Sequence, residues 1–267
     1  MIKKVLKNFN LQTIADSGQC FRMEPESADT YQVIAHNRVL RITAGSNGSF
    51  AFDTGEEDFK NIWEDYFDLK TDYSGYIRAI PASDEFLTSA AAYGEGIRIL
   101  RQEPFETLIT FIISQRKNIP AIKKCVEELS LRFGERIAGD FHAFPTPEAL
   151  SKASAEELNA CHLGYRTEYV RRAAEAVYRG DVDLLELCKL DDPALFDALM
   201  RFHGVGKKVA NCVMLFAYHR IAAFPVDVWI ERVINEKYSG SFPVEKYEGF
   251  AGVIQQYMFY YGRTQGV

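Results

Sequence analysis

The sequence lacks any paired-cysteine motif. Its five cysteines, Cys20, Cys125, Cys161, Cys188 and Cys212, are scattered over 267 residues and none forms a CxxC. That spacing argues against a disulfide scaffold and a cysteine-rich zinc site. It fits a reducing compartment, so a cytoplasmic location is expected. Long apolar runs are missing too. Residues 108–113 are among the longest, far short of the roughly 20 needed to span a bilayer. The N-terminus has early lysines but no apolar segment behind them, which argues against a secretory signal. His36, His142, His162, His203 and His219 form no HxH or HExxH spacing and read as structural or surface residues, so no metal is expected. Repeats and low-complexity segments are absent. So is an excess of basic charge: the net charge is −6, which speaks against a chain that coats nucleic acid over its whole surface.

What is present is a globular composition, 47% hydrophobic and 25% charged. The length allows one to three domains around a large core. The charge is unevenly spread. Residues 114–124 carry +4, residues 200–237 carry +3 and residues 162–172 carry +2, leaving −15 elsewhere. One basic face and ordinary solvated helix faces both fit that distribution. The first 56 residues alternate like strands, with a hairpin over 30–43 turning near His36, Asn37 and Arg38, and a short strand at 50–52. From residue 57 the spacing is helical: Phe59, Ile62, Trp63, Tyr66 and Phe67 recur every three or four residues. Further helices are predicted over 84–93, 104–115, 119–133, 155–159, 168–179, 193–200, 207–218, 228–238 and 244–261. This is an α+β arrangement, a small N-terminal antiparallel sheet domain (1–72) followed by a mainly helical body (73–267).

The chemistry concentrates at HGVGKKVANC, residues 203–212. A phosphate-binding Walker loop needs wider glycine spacing and Ser or Thr after the lysine, and a dinucleotide fingerprint needs glycine where Val209 stands. Helix, Gly-Val-Gly turn, helix remains, over about 193–218. Gly204, Val205 and Gly206 can bring backbone amides and a helix N-terminus against a DNA phosphate, or simply join two packed helices. On the second helix Lys207 shares a face with Asn211, and Lys208 with Cys212. Lys208 therefore points toward an interior or cleft. A lysine placed there is expected to surrender its charge readily and serve as an amine nucleophile. Nineteen positions on, Asp227 opens the next helix. It is either an ordinary N-cap or a carboxylate aimed into the same cleft.

Residues 204–212 with Pro225-Val-Asp-Val228 resemble the helix–hairpin–helix DNA glycosylases, and among them the 8-oxoguanine branch. Ser17-Gly-Gln-Cys-Phe-Arg22, the stretch from Gly96 to Phe105, Leu163-Gly-Tyr-Arg166, and Ala251, Gly252, Gln255 and Phe259 match further family segments in the same order, across nearly the whole chain. The resemblance implies two helical subdomains with the active site in the cleft between them. It makes Lys208 and Asp227 catalytic, and Gly18, Cys212, Gln255 and Phe259 the receptors of the damaged base. Tyr165, Arg166, Arg116 and Asn118 would contact DNA. The implied partner is double-stranded DNA containing oxidised guanine, bound by a monomer, nucleoid-associated if the source is bacterial. No cofactor is implied. With no cysteine after Cys212 an iron–sulfur cluster is not expected, though the hairpin carbonyls could take a monovalent cation. Read from residues alone, Gly18 also fits a plain turn, Phe259 plain core, Arg166 a phosphate contact and Arg116 a helix cap. The chain departs from the family pattern at Met23, Arg116, Ala121 and Trp229. Removal of another damaged purine, or DNA binding without catalysis, therefore stand as alternatives.

Overall fold

The computed structural model describes residues 1–266. Five antiparallel strands form the N-terminal sheet: β1 (Ile2–Val5), β2 (Met23–Pro25), β3 (Thr30–Ala35), β4 (Arg38–Ala44) and β5 (Ser49–Phe52), in the order β1-β5-β4-β3-β2. The predicted hairpin is β3–β4, paired Val33 to Leu40 and Ile34 to Val39. His36 and Asn37 turn it with φ of 50° and 56°, the left-handed pair that a two-residue turn needs to match strand twist. Tyr31, Val33, Leu40, Ile42, Phe50 and Phe52 are buried on one side of the sheet. Phe59, Trp63, Tyr66 and Phe67 close that side from a helical stretch whose middle, Phe59–Trp63, is π-helical. Composition alone left β1, β2 and the short helix Leu11–Asp16 unforeseen. Only one residue of β1 is even partly buried, so it carries no alternation to read.

The body is helical as expected, with helix starts set by local chemistry. Proline stands in the first turn of Pro104–Ser114 and Ile119–Phe133. Ser154 and Glu157 form a reciprocal capping box on Ala155–Ala160. The predicted helix over 244–261 is two elements. A short turn, Val244–Tyr247, precedes Gly249 at φ 84°, and the helix proper is Ala251–Gln265. The left-handed glycine breaks a run that is apolar enough to look continuous. The hairpin of Arg136–Ala138 with Phe141–His142 and the helix Pro147–Lys152 also went unread, both too short for periodicity. Among the described residues no helix is long and apolar enough to cross a membrane.

Two cores result. One holds the sheet together from Phe9 to Phe67, and the other fills the helical body from Tyr73 onward. They interleave at the seam: Phe21 from the N-terminal region packs into the body core, and Leu100 from the body packs into the sheet core. Arg98 ties the seam. Its buried guanidinium donates to the carbonyls of Lys7, Asn8, Asp68 and Thr71 and lies 4.6 Å from the Tyr73 ring centre.

Glu106 sits at the same seam, in the first turn of Pro104–Ser114, with Arg22 Nη1 4.0 Å away. Burial lifts its carboxyl to about 7, against the opposing pull of Arg22. A carboxyl raised on folding contributes its stability below its unfolded value near 4.5 and loses it as pH rises through about 7. Urea unfolding at pH 5 and pH 8 should therefore show a loss of about 2 kcal/mol in the wild type. Glu106→Gln should remove most of that difference, and an unchanged difference would place its origin elsewhere.

Candidate active site and DNA-facing surface

The hairpin is where the spacing put it. Helix Asp192–Met200 leads into Gly204, and helix Lys207–Phe216 follows Gly206. Gly204 has φ 84°, and a Cβ there would lie 2.3 Å from the Tyr169 ring, so both backbone and packing require glycine. Gly206 is the exposed N-cap of the second helix and makes no side-chain cap bond. The first amides of that helix are thus of the kind that can meet an anion. Val205 is turned inward: its side chain is buried and its N–H donates to the Phe202 carbonyl.

Lysine register follows from this start. Lys207 is exposed, and the Asn211 amide donates to its carbonyl. Lys208 points inward. Its Nζ lies 5.0 Å from the centre of the Phe111 ring and donates to Ser114 Oγ at 3.4 Å. Ser114 Oγ in turn donates to the Phe111 carbonyl at 2.8 Å, which leaves its lone pairs for the lysine. Asp227 is the N-cap of Val228–Lys237, and Oδ1 accepts from the amides of Trp229 and Ile230 at 3.0 and 2.9 Å.

The two meet in a cavity of about 40 Å³. It is lined by Gly18, Phe111, Lys208, Cys212, Phe216, Pro225, Asp227, Gln255, Gln256 and Phe259. Both catalytic candidates and all four base-binding candidates are therefore brought together, from the N-terminal region, the hairpin, the start of Val228–Lys237 and the C-terminal helix. Cys212 feels both charges. Burial raises its thiol to about 11, Lys208 pulls it back and Asp227 pushes it up. The thiol stays protonated near neutrality and offers a neutral, polarisable wall. Gln255 is buried, with Nε2 donating to the Pro225 carbonyl and Oε1 accepting from Gln256.

Gly18 reaches the cavity because its loop is tied to the body by Gln19. That buried amide donates to the Arg98 carbonyl and accepts from the Leu100 N–H, both at 2.8 Å, copying a strand pair with a side chain. Gln102 adds a bond to the Gln19 carbonyl at 2.7 Å. Gly18 itself has φ 75°, and the Phe259 ring packs on it.

The remaining DNA-contact candidates separate. Tyr165 is half exposed and Arg116 is exposed at φ 51°, a left-handed backbone at the tip between two helices. Asn118 caps Ile119–Phe133 by accepting from the Ala121 amide. Arg166 is buried: its guanidinium donates to the carbonyls of Gln115 and Leu163 and lies 4.2 Å from the Tyr165 ring centre. Gln115 completes the scaffold, its amide donating to the Gly204 carbonyl at 3.0 Å. Phe111, Ser114, Gln19 and Gln115 were not singled out from sequence. Gln19, Ser114 and Gln115 lie in stretches that carried or tested the resemblance, which was the available signal.

A hairpin beside an inward lysine and a capping aspartate defines a base-excision DNA glycosylase of the helix–hairpin–helix class. Residues 109–243 match the family described as HhH-GPD superfamily base excision DNA repair protein, and residues 1–108 match the 8-oxoguanine DNA glycosylase N-terminal domain. This chain belongs to the 8-oxoguanine DNA glycosylase family of that superfamily. It superposes on MBOgg1, solved with a low-affinity DNA ligand, at TM-score 0.93 and 38% identity over 98% of this chain and 94% of that one. A Clostridium acetobutylicum 8-oxoguanine glycosylase/lyase, solved with double-stranded DNA carrying cytosine opposite the lesion, superposes at 0.91 and 35% identity over the same shares. A probable N-glycosylase/DNA lyase of Methanothermobacter thermautotrophicus is 27% identical over 80% of this chain and 78% of its own length.

Proposed function

We propose that this chain is a bifunctional DNA glycosylase and abasic-site lyase that removes 8-oxoguanine from duplex DNA. The observation that carries the reading is the single cavity shared by Lys208, Asp227, Gly18, Cys212, Gln255 and Phe259. The target base must leave the stack, which costs a few kcal/mol. At about 40 Å³ the cavity is far smaller than an ordinary ligand pocket, so base entry is coupled to opening of its walls. Guanine and 8-oxoguanine differ at N7, a lone pair in one and an N–H donor in the other. An acceptor carbonyl at Gly18 rewards the lesion and leaves guanine with an opposed lone pair, worth about 1–3 kcal/mol. Gln255 can exchange its internal partners for the purine edge, and Cys212 and Phe259 cover its faces.

The amine of Lys208, once it has given up a proton, attacks C1′ as the bond to N9 breaks, and the electron pair leaves with the base. Asp227 stabilises the positive sugar. Opening of the sugar ring and loss of the amine proton give a Schiff base. Loss of a C2′ proton then expels the 3′ phosphate and nicks the strand. No organic cofactor or metal takes part, and the protein acts as a monomer in the cytoplasm. The hairpin oxygens suit a structural monovalent cation. Phe202 and Gly204 carbonyls each have one protein donor and retain a second lone pair.

Tyr165 fills the vacated gap. Arg116, exposed on its strained tip, faces the partner base, while Arg166 holds the Gln115 turn beneath it. Arg116 and Trp229 also favour a second reading, removal of a different damaged purine. Single-turnover excision from oligonucleotides with 8-oxoguanine opposite each of the four bases, beside undamaged guanine, tests both. Preferential excision of 8-oxoguanine is expected, with a broad choice of partner. Equal or absent release would overturn the assignment.

A further inference from the structure

Arg263 belongs to none of the groups considered so far, yet it touches one wall of the base pocket and the helix that leads into the other. It lies on the C-terminal helix, one turn beyond Phe259. Its guanidinium carbon is 5.6 Å from the centre of the Phe259 ring, and Nη2 donates to the Asp16 carbonyl. Asp16 ends the helix that leads directly into Ser17 and Gly18. Phe259 in turn packs on Gly18, its Cε1 only 3.1 Å from where a Cβ would stand. The guanidinium is partly buried, which fixes its position better than that of a surface arginine.

The geometry points to Arg263 as a positioning residue for base recognition. It joins the aromatic wall to the glycine loop, so that the ring that stacks on the base and the carbonyl that reads it stay in register as the walls open. One face of the ring is covered by the cation, which leaves the opposite face for the base. The cation also draws π-density from that ring, which suits stacking on an electron-rich oxidised purine. The register of the two walls therefore depends on a side chain that never contacts the substrate.

This inference rests on the cleft being a base pocket, and two substrates separate the claims. Cleavage of a preformed abasic site needs Lys208 but no base in the pocket; release of 8-oxoguanine needs both. Arg263→Leu should slow single-turnover 8-oxoguanine release by about tenfold and weaken the preference over undamaged guanine. Its cleavage of abasic duplex should stay within about twofold of wild type. Arg263→Lys keeps the charge and should recover most of the loss. Parallel loss of both activities in Arg263→Leu and Arg263→Lys would mark a structural role and overturn the proposal, as would unchanged release in Arg263→Leu. Should Arg263→Leu fail to fold, Arg263→Gln takes its place: equal losses of both activities or unchanged base release overturn the proposal, and loss confined to base release supports it. A wild-type protein that cleaves abasic DNA but never releases 8-oxoguanine would instead sink the functional reading.

Discussion

Lys208→Gln should yield no covalent adduct when the protein is treated with borohydride on lesion-containing or abasic duplex, whereas Lys207→Gln should still yield one. The two residues are neighbours with the same chemistry and opposite environments. Lys207 is exposed, while Lys208 rests against Phe111 and Ser114 inside the cavity. Borohydride reduces the C=N bond of a Schiff base, so the trap reports which nitrogen formed it. Gln keeps length and polarity but has no nucleophilic lone pair, and the lyase step vanishes with it. Lys207→Gln should weaken DNA binding only modestly, as loss of one exposed positive charge does. Trapping lost in Lys207→Gln and retained in Lys208→Gln would invert the register and the mechanism with it.

Asp227→Asn should lower base release about 100-fold or more while leaving the fold nearly intact. The carboxylate has two duties that this substitution separates. As an N-cap it accepts two backbone amides through Oδ1, and an asparagine oxygen can do the same. As an anion it would balance positive charge on a reacting sugar, which asparagine could not. The unfolding free energy should change by less than about 1 kcal/mol, the usual scale of a cap. Asp227→Ala should lose both. A drop in stability matching the drop in activity for Asp227→Asn would reduce Asp227 to a capping role.

The sequence made the hairpin helices legible because their apolar spacing is regular and their glycines admit few alternatives. It also gave the register of Lys208, since the polar Asn211 and the buried-type Cys212 fix opposite faces of one helix. The cavity as a whole was visible only through the ordered family segments. Gly18 and Phe259 are 241 positions apart, and no local pattern brings them together. The roles of Gln19, Gln115 and Arg98 were hidden for a related reason. Their side chains bind backbone carbonyls of distant segments, and a carbonyl has no residue identity to read. Arg166 shows the same effect in reverse: an arginine in a DNA-contact motif spends its donors on Gln115 and Leu163.

Because Phe21 is packed in the body core and Leu100 in the sheet core, the two halves are woven rather than strung together. A lineage could not discard the sheet as a dispensable appendage. With it would go Gly18, one wall of the cavity that also holds Lys208. The cavity is thus assembled across the seam, and its outline is as durable as the interlock that holds the two halves together.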